Sequence, residues 1–322
     1  MTIAIVGGTG FIGVELVKRL QAHDQEVVAI ARGIEPVDLP EGARFITADR
    51  MDAEAMRAVM TEVNPSAVID IFTISLRNTR AVLDAVGAVG GRYVLVSSTD
   101  VYANYAGLLK MANPPIRHEP ATEESPLRTL RYPYRGNPRR PKGVSDDLFE
   151  DYDKLPIEEA ARTDPRFDTT IVRPPMIFGE NDKQNRFGWV INNAKAGKSI
   201  AIDRRAAGWL NSYSYVADVA EALALAAIHP AAAGRTYNVA QPKDRTVLAW
   251  AEIILGAMGI DCEVVTADPD ANGIMADRAE TSDLRYPLTL DSSRIRAELG
   301  FVETLPEADA LQRTIAWALS KV

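Results

Sequence analysis

The chain has 322 residues, 47% of them hydrophobic, and a formal net charge of −8. That is enough apolar material for one large core, or one core with a smaller lobe, and too acidic for general binding to nucleic acid or anionic membrane. Its single cysteine, Cys262, excludes an internal disulfide, and the scattered His23, His118 and His229, without a CxxC or HExxH pattern, argue against a metal. No apolar run of about 18 residues occurs and the chain begins directly in a strand, so a cytoplasmic location is expected.

Thr2 to Val6 reads as a strand and runs into Gly7-Gly8-Thr9-Gly10-Phe11-Ile12-Gly13, followed by an amphipathic helix carrying Val14, Leu16, Val17 and Leu20. Gly7 permits a tight turn, Gly10 lets backbone approach a pyrophosphate, and Gly13 lets the helix pack closely. Phosphates are then expected at the positive end of that helix, beside Phe11 and Ile12. The spacing is GxxGxxG, and its strand-turn-helix context gives it weight as a dinucleotide site.

A second strand, Glu26 to Ala31, follows, then a strand at Arg44 to Thr47, a helix at Asp52 to Val63, a strand at Ala67 to Phe72, a helix at Leu76 to Val86 and a strand at Arg92 to Ser97. Such alternation implies right-handed crossovers and a parallel sheet covered on both faces. The expected fold is α/β, a Rossmann-type doubly wound parallel sheet with a smaller C-terminal α/β lobe. Residues 1–175 would form the dinucleotide-binding part and 176–322 the substrate lobe, interleaved with the last strands.

The pattern stops over residues 110–145, which hold seven prolines and eight Lys or Arg against three Glu, a net charge of +5. Neither a helix nor a central strand survives that proline density. A long basic loop suggests a lid that attracts an anionic substrate through arginines such as Arg135, or else a solvated surface loop or oligomer contact. Beyond it, helices are expected at Asp146 to Arg162, Arg186 to Lys195, Val216 to Ile228, Val247 to Met258, Ser292 to Leu299 and Glu307 to Leu319, with strands at Thr169 to Arg173 and Arg235 to Ala240.

Several segments in order resemble the short-chain dehydrogenase/reductase superfamily in its extended or atypical branch, the epimerase/dehydratase-like proteins. Besides the glycine turn they are Ala48-Asp49-Arg50-Met51-Asp52, Ser97-Ser98-Thr99-Asp100-Val101-Tyr102, Arg173-Pro174-Pro175 through Gly179, Tyr213 to Ala220, Tyr237-Asn238-Val239-Ala240, and Asp291-Ser292-Ser293 leading to Glu298-Leu299-Gly300-Phe301. The resemblance implies cofactor contacts from Asp49, Arg50, Phe72 and Pro174, with Asp49 on the adenine amino group; the other reading of Asp49 is a loop cap before a helix. It places Thr99, or its neighbour Ser98, as the hydroxyl that polarises a substrate oxygen, against a structural turn residue. Where NAD-preferring members end the second strand in a carboxylate, this chain has Arg32, which favours the 2′-phosphate of NADP over NAD.

The superfamily pairs tyrosine and lysine four residues apart. Here Lys154 fits the lysine, which would bind the nicotinamide ribose, but Glu150 stands four residues earlier and Tyr152 only two. Residues i and i+2 do not share a helix face. Three readings are open: the helix starts late or is irregular near Pro156 and Tyr152 serves; Glu150 replaces the phenol; or catalysis is lost and a dinucleotide-binding sensor or scaffold remains. Tyr102, Tyr132 and Tyr134 are further candidates, Tyr102 also on the substrate side. Nucleotide-sugar members carry a diphosphate-binding arginine where this chain has Asn211. The expected partners are a small polar substrate, without membrane and without nucleic acid except through the basic loop, and a second copy through the helices around Leu83 and Lys154.

Overall fold

Apolar runs separated by amphipathic helices give a singly directed sheet. In the computed structural model, residues 1–33, 38–137 and 145–321 are described. The first half runs β1 (Thr2–Val6), α1 (Phe11–Ala22), β2 (Glu26–Ala31), β3 (Arg44–Thr47), α2 (Ala53–Val63), β4 (Ala67–Asp70), α3 (Leu76–Val86), β5 (Gly91–Val96), α4 (Ala103–Leu108), α5 (Lys154–Arg162) and β6 (Phe167–Arg173). The second half runs β7 (Met176–Phe178), α6 (Gly188–Lys195), β8 (Ile200–Asp203), α7 (Arg204–Ala207), β9 (Leu210–Asn211), β10 (Tyr213–Tyr215), α8 (Val216–Ile228), β11 (Thr236–Asn238), β12 (Arg245–Thr246), α9 (Val247–Met258), β13 (Val264–Ala267), α10 (Ala276–Thr281), α11 (Ser293–Leu299) and α12 (Glu307–Ser320).

Seven strands form a wholly parallel sheet in the order β11-β6-β5-β4-β1-β2-β3. The order reverses between β1 and β4, so their carboxyl ends open the crevice in which such sheets take ligands. Alternation along β1 sends Ile3 and Ile5 into one core layer with Leu16, Leu20 and Leu223, and Ala4 and Val6 into the other with Met56, Met60 and Val82. Helices α1 and α8 thus cover one face, and α2, α3 and α5 the other. Because α8 and β11 belong to this layered body, the chain leaves the sheet after β6 and returns to it later.

A separate apolar cluster fills the remaining lobe. There the ring of Phe187 stacks on Trp250 at 5.3 Å between centroids and meets Phe178 at 5.0 Å. Strands β8 and β13 pair in parallel beside it.

Two expectations are corrected. Strand β4 ends at Asp70 rather than Phe72, since the chain then turns to Ser75, whose hydroxyl caps α3 by accepting the Asn78 N–H. The helix expected from Asp146 begins only at Lys154: a 3-10 turn covers Asp146–Leu148, Tyr152 pairs as an antiparallel bridge with Ser75, and Asp153 caps α5 by accepting the Leu155 N–H at 3.0 Å. Pro156 falls in the first turn of α5, where its missing N–H is no loss.

The described part of the proline-rich segment is fastened down along its length. Ala121 exchanges backbone hydrogen bonds with Thr289 and Asp291, the Ala103 N–H bonds Pro126, and the Arg128 N–H bonds Val101 at 2.8 Å. Arg128 also forms an ion pair with Asp153 at 2.5 Å, both side chains fully buried. A freely hinged lid is not compatible with these bonds; Pro138, Arg139, Arg140, Pro141 and Lys142 lie outside the described residues. Leu83, expected near a dimer face, is buried within the chain, as is Lys154.

Candidate active site

At the switch point the glycine turn does three separate jobs. Gly7 has φ of +89°, a conformation that favours glycine, and its N–H donates to Ile30 at 2.9 Å. A Cβ on Gly13 would lie 2.5 Å from the Gly8 backbone, so α1 rests directly on the turn. Gly10 is the N-cap of α1 and provides no side-chain acceptor to its first-turn amides, leaving the positive end of the helix open to an anion.

Beside this end lies a cavity of about 710 Å³, lined by Gly7, Gly10, Phe11, Ile12, Arg32, Asp49, Arg50 and Phe72 among others. Its size, its amide-rich end and its glycine floor suit a dinucleotide. Arg32 is exposed directly after β2 and makes no hydrogen bond or ion pair among the described residues. Asp49 Oδ1 accepts the Met51 N–H at 2.8 Å, bracing the turn before α2, whose cap is Asp52, and Asp49 stands in the cavity wall.

Arg50 requires a correction. It reaches the wall, but its guanidinium is bidentate to Asp70 at 3.0 and 2.8 Å and also donates to the Phe72 carbonyl at 2.6 Å and to Asn78 at 3.1 Å. Asp70 is fully buried and takes a third bond from Tyr93 at 3.0 Å. Arg50 therefore holds up the floor under exposed Phe72 instead of offering its charge to a ligand. Pro174 is buried outside the cavity wall, and its carbonyl receives the Thr99 N–H at 3.0 Å.

Lys154, the first residue of α5, places its ammonium between the ends of β4 and β5. It donates to the Thr73 carbonyl at 2.5 Å, to Thr73 Oγ1 at 2.9 Å and to the Val96 carbonyl at 3.1 Å. Burial pulls its pKa down to about 8, with the charges of Asp100, Asp70 and Glu158 opposing the fall. One turn on, Glu158 accepts from Ser97 at 2.5 Å and holds Arg173 bidentately at 2.8 and 2.6 Å.

Since Tyr152 precedes the helix, the i,i+2 objection does not apply to it. Its ring centroid lies 5.8 Å from the Lys154 ammonium and its hydroxyl donates to Asp100. Burial and the Asp100 carboxylate push the phenol well above its ordinary pKa. Burial raises the Asp100 carboxyl as well, while the bond from Tyr152 and the charge of Arg128 oppose that rise. Asp100 Oδ1 is buried and has no partner among the described residues. Tyr134 packs against Tyr152 at 5.2 Å and shares a hydrogen bond with Tyr105.

Glu150 stands in a turn away from this group, accepting the Gly136 N–H at 3.0 Å. Arg135 is half in solvent, paired with Asp151 at 3.0 Å and stacked 3.7 Å over Tyr132. The Tyr102 hydroxyl is consumed in the interior by Asn238 at 2.6 Å and Arg173 at 3.0 Å, which makes Tyr102 a brace. Thr99 is buried near the end of β5, and the adjacent Ser98 Oγ accepts the Asp100 N–H at 3.3 Å. Asn211 is buried, and its Nδ2 has no hydrogen-bond partner among the described residues. Arg186 and Arg278 act electrostatically on Tyr213, and Arg278 also on Tyr105 and Tyr134.

Asp100, bonded to Tyr152, and Arg186 and Arg278, near Tyr213, were not singled out from the sequence. Asp100 lay in plain view inside the Ser97 to Tyr102 stretch, beside two better-known hydroxyls. Nothing in the spacing of Arg186 or Arg278 marks either residue, because only the folded lobe brings them toward β9 and β10.

Over 30% of this chain and 28% of the relative, the sequence is 34% identical to a 2'-dehydrokanamycin reductase of Streptomyces kanamyceticus. It is 25% identical to a dTDP-L-rhamnose 4-epimerase of Burkholderia thailandensis over 55% of this chain and 49% of that one. These matches thus span less than half the length of either relative. The fold is shared with UDP-glucose 4-epimerase of Thermotoga maritima (TM-score 0.72, 17% identity, covering 100% and 99% of the two chains) and with the dTDP-glucose 4,6-dehydratase DesIV of Streptomyces venezuelae (0.71, 23%, 99% and 97%). A family model described as NAD dependent epimerase/dehydratase matches residues 3–240, from β1 through β11. The open helix end, the dinucleotide-sized cavity and that match converge on one statement: the chain belongs to the NAD dependent epimerase/dehydratase family.

Proposed function

We propose that the protein is an NADP-using enzyme that acts at a carbinol or carbonyl carbon of a small, polar, anionic or sugar-like substrate. The observation that carries this reading is the meeting of Tyr152, Asp100 and Lys154 at the ends of β4 and β5, where Lys154 is held by Thr73, the residue after Phe72 of the cavity wall, despite irregular spacing in the chain. A bound nicotinamide would supply the hydride acceptor or donor, with or without net redox.

The protein's own residues handle the rest. The α1 amides and the glycine turn would take the pyrophosphate, and Arg32 would take a 2′-phosphate through charge-assisted bonds. Tyr152, kept protonated by its surroundings, donates its proton to a carbonyl oxygen while taking up a proton held by Asp100. In the opposite direction Tyr152 accepts the alcohol proton while passing its own to Asp100, whose raised affinity for a proton suits that role. Thr99 would orient the substrate oxygen, and the ammonium of Lys154 stabilises negative charge developing there. Arg278, whose guanidinium stacks on Trp209 at 5.2 Å, and Arg186 would offer an anionic substrate end the positive charge that Asn211 does not.

One observation favours a second reading, a dinucleotide-binding protein without turnover. The Lys154 ammonium already has three acceptors within the chain, and the wall of the large cavity ends before Tyr152. The two readings separate on incubating the full chain with NADPH or NADP and dTDP-glucose, UDP-glucose or simple keto acids. Consumption of cofactor or conversion of substrate supports the enzyme; tight cofactor binding without either supports the sensor.

A further inference from the structure

A second cavity, of about 180 Å³, opens between α1, the strand end at Tyr215 and α12, and is lined by Lys18, Arg19, Glu180, Thr304 and Arg313 among others. Its charges are unevenly satisfied. Lys18 is held by Glu15 at 2.5 Å, Glu180 accepts the Tyr215 hydroxyl at 2.7 Å, and the Thr304 hydroxyl donates to Asp218 at 2.7 Å. Arg19 and Arg313 are left over. Arg19 Nε is buried with no hydrogen-bond partner, and neither guanidinium has a hydrogen bond or ion pair among the described residues.

A buried guanidinium N–H without an acceptor is a standing cost that a ligand oxygen removes. Two guanidinium groups around one small cavity select a planar or tetrahedral oxyanion, because each offers paired N–H donors in a fixed fork. The volume admits a phosphate or a carboxylate of a few carbons and leaves no room for a dinucleotide. Of the two carboxylates in its wall, Glu15 is neutralised by Lys18 and Glu180 takes the Tyr215 hydroxyl bond, leaving the lining with a net positive charge.

We propose that this cavity is a second, non-catalytic site for a small oxyanion, a phosphate or carboxylate group received between Arg19 and Arg313. It lies on the helix whose first turn forms the dinucleotide site but uses different residues, so it is independent of the catalytic reading.

The test is calorimetric titration of the full chain at low ionic strength with inorganic phosphate and, separately, with succinate, each repeated at saturating NADP. Saturable binding of either anion that persists with NADP present and weakens about tenfold in Arg19→Gln and in Arg313→Gln supports the site. Binding of one anion and not the other identifies the group recognised. Absence of saturable heat with both anions, displacement of the anion by NADP, or unchanged affinity in Arg313→Gln overturns it. Arg313 is exposed, so its replacement leaves folding intact even if Arg19→Gln does not. Should NADP itself fail to bind, the titrations without it still decide the matter.

Discussion

The hydroxyl of Tyr152 donates to the carboxylate of Asp100, linking the residue just before the α5 cap to the turn that follows β5. A negative neighbour raises the affinity of a phenol for its proton, and burial adds to this. Replacing Asp100 with Asn keeps the shape but removes the charge and the proton acceptor. The Tyr152 phenol should then titrate at lower pH, followed by ultraviolet difference absorbance, while kcat falls by about 10²-fold or more.

Lys154 gives a pH signature. Its folded value of about 8 lies below its ordinary value of 10.5, so the stability linked to its neutral form is present above 10.5 and lost as pH falls through about 8. The difference in unfolding free energy between Lys154→Met and the parent should shift in favour of the variant by about 3 kcal/mol over that interval, measured by urea unfolding. In the parent, turnover should decline above about pH 8 as the ammonium loses its charge.

The proposed preference for NADP over NAD rests on Arg32 in the cavity wall. Arg32→Asp should weaken NADP binding by about tenfold to a hundredfold, because a charge-assisted pair is replaced by repulsion, and should leave NAD binding equal or tighter. Fluorescence titration with the reduced cofactors reads both constants on one sample.

Arg128 and Asp153 form a buried pair that fastens the proline-rich segment under Tyr132 and beside the start of α5. Removing one partner leaves a buried charge uncompensated. Arg128→Met should cost about 3 to 5 kcal/mol of unfolding free energy in a denaturant titration. An exposed charge in the same segment, Arg131→Met, should cost less than about 1 kcal/mol.

The layered fold and its cofactor end were legible because local signals decide them. Strand-helix alternation and three glycines at fixed offsets act within a few residues. The chemistry was less legible. The usual four-residue spacing of tyrosine and lysine presupposes a helix through both, and a cap at Asp153 moves the helix start past Tyr152. Arg50 looked available for a ligand because its partner, Asp70, sits two elements away. Basic charge in the proline-rich segment suggested steering of an anion, yet Arg128 is neutralised in the interior by a residue after that segment. Asn211 stands where the resemblance implies an arginine, and Arg186 and Arg278 come near Tyr213 only once the lobe is folded.

The most direct measurement compares Tyr152→Phe with the parent, determining NADP affinity and turnover on the same samples with whichever of dTDP-glucose, UDP-glucose or simple keto acids the parent converts. A fall in kcat of about 10²-fold or more with cofactor affinity unchanged is the expected result. Equal turnover in variant and parent, or a parent that binds NADP and converts none of these substrates, would contradict the assignment of Tyr152 as the proton donor.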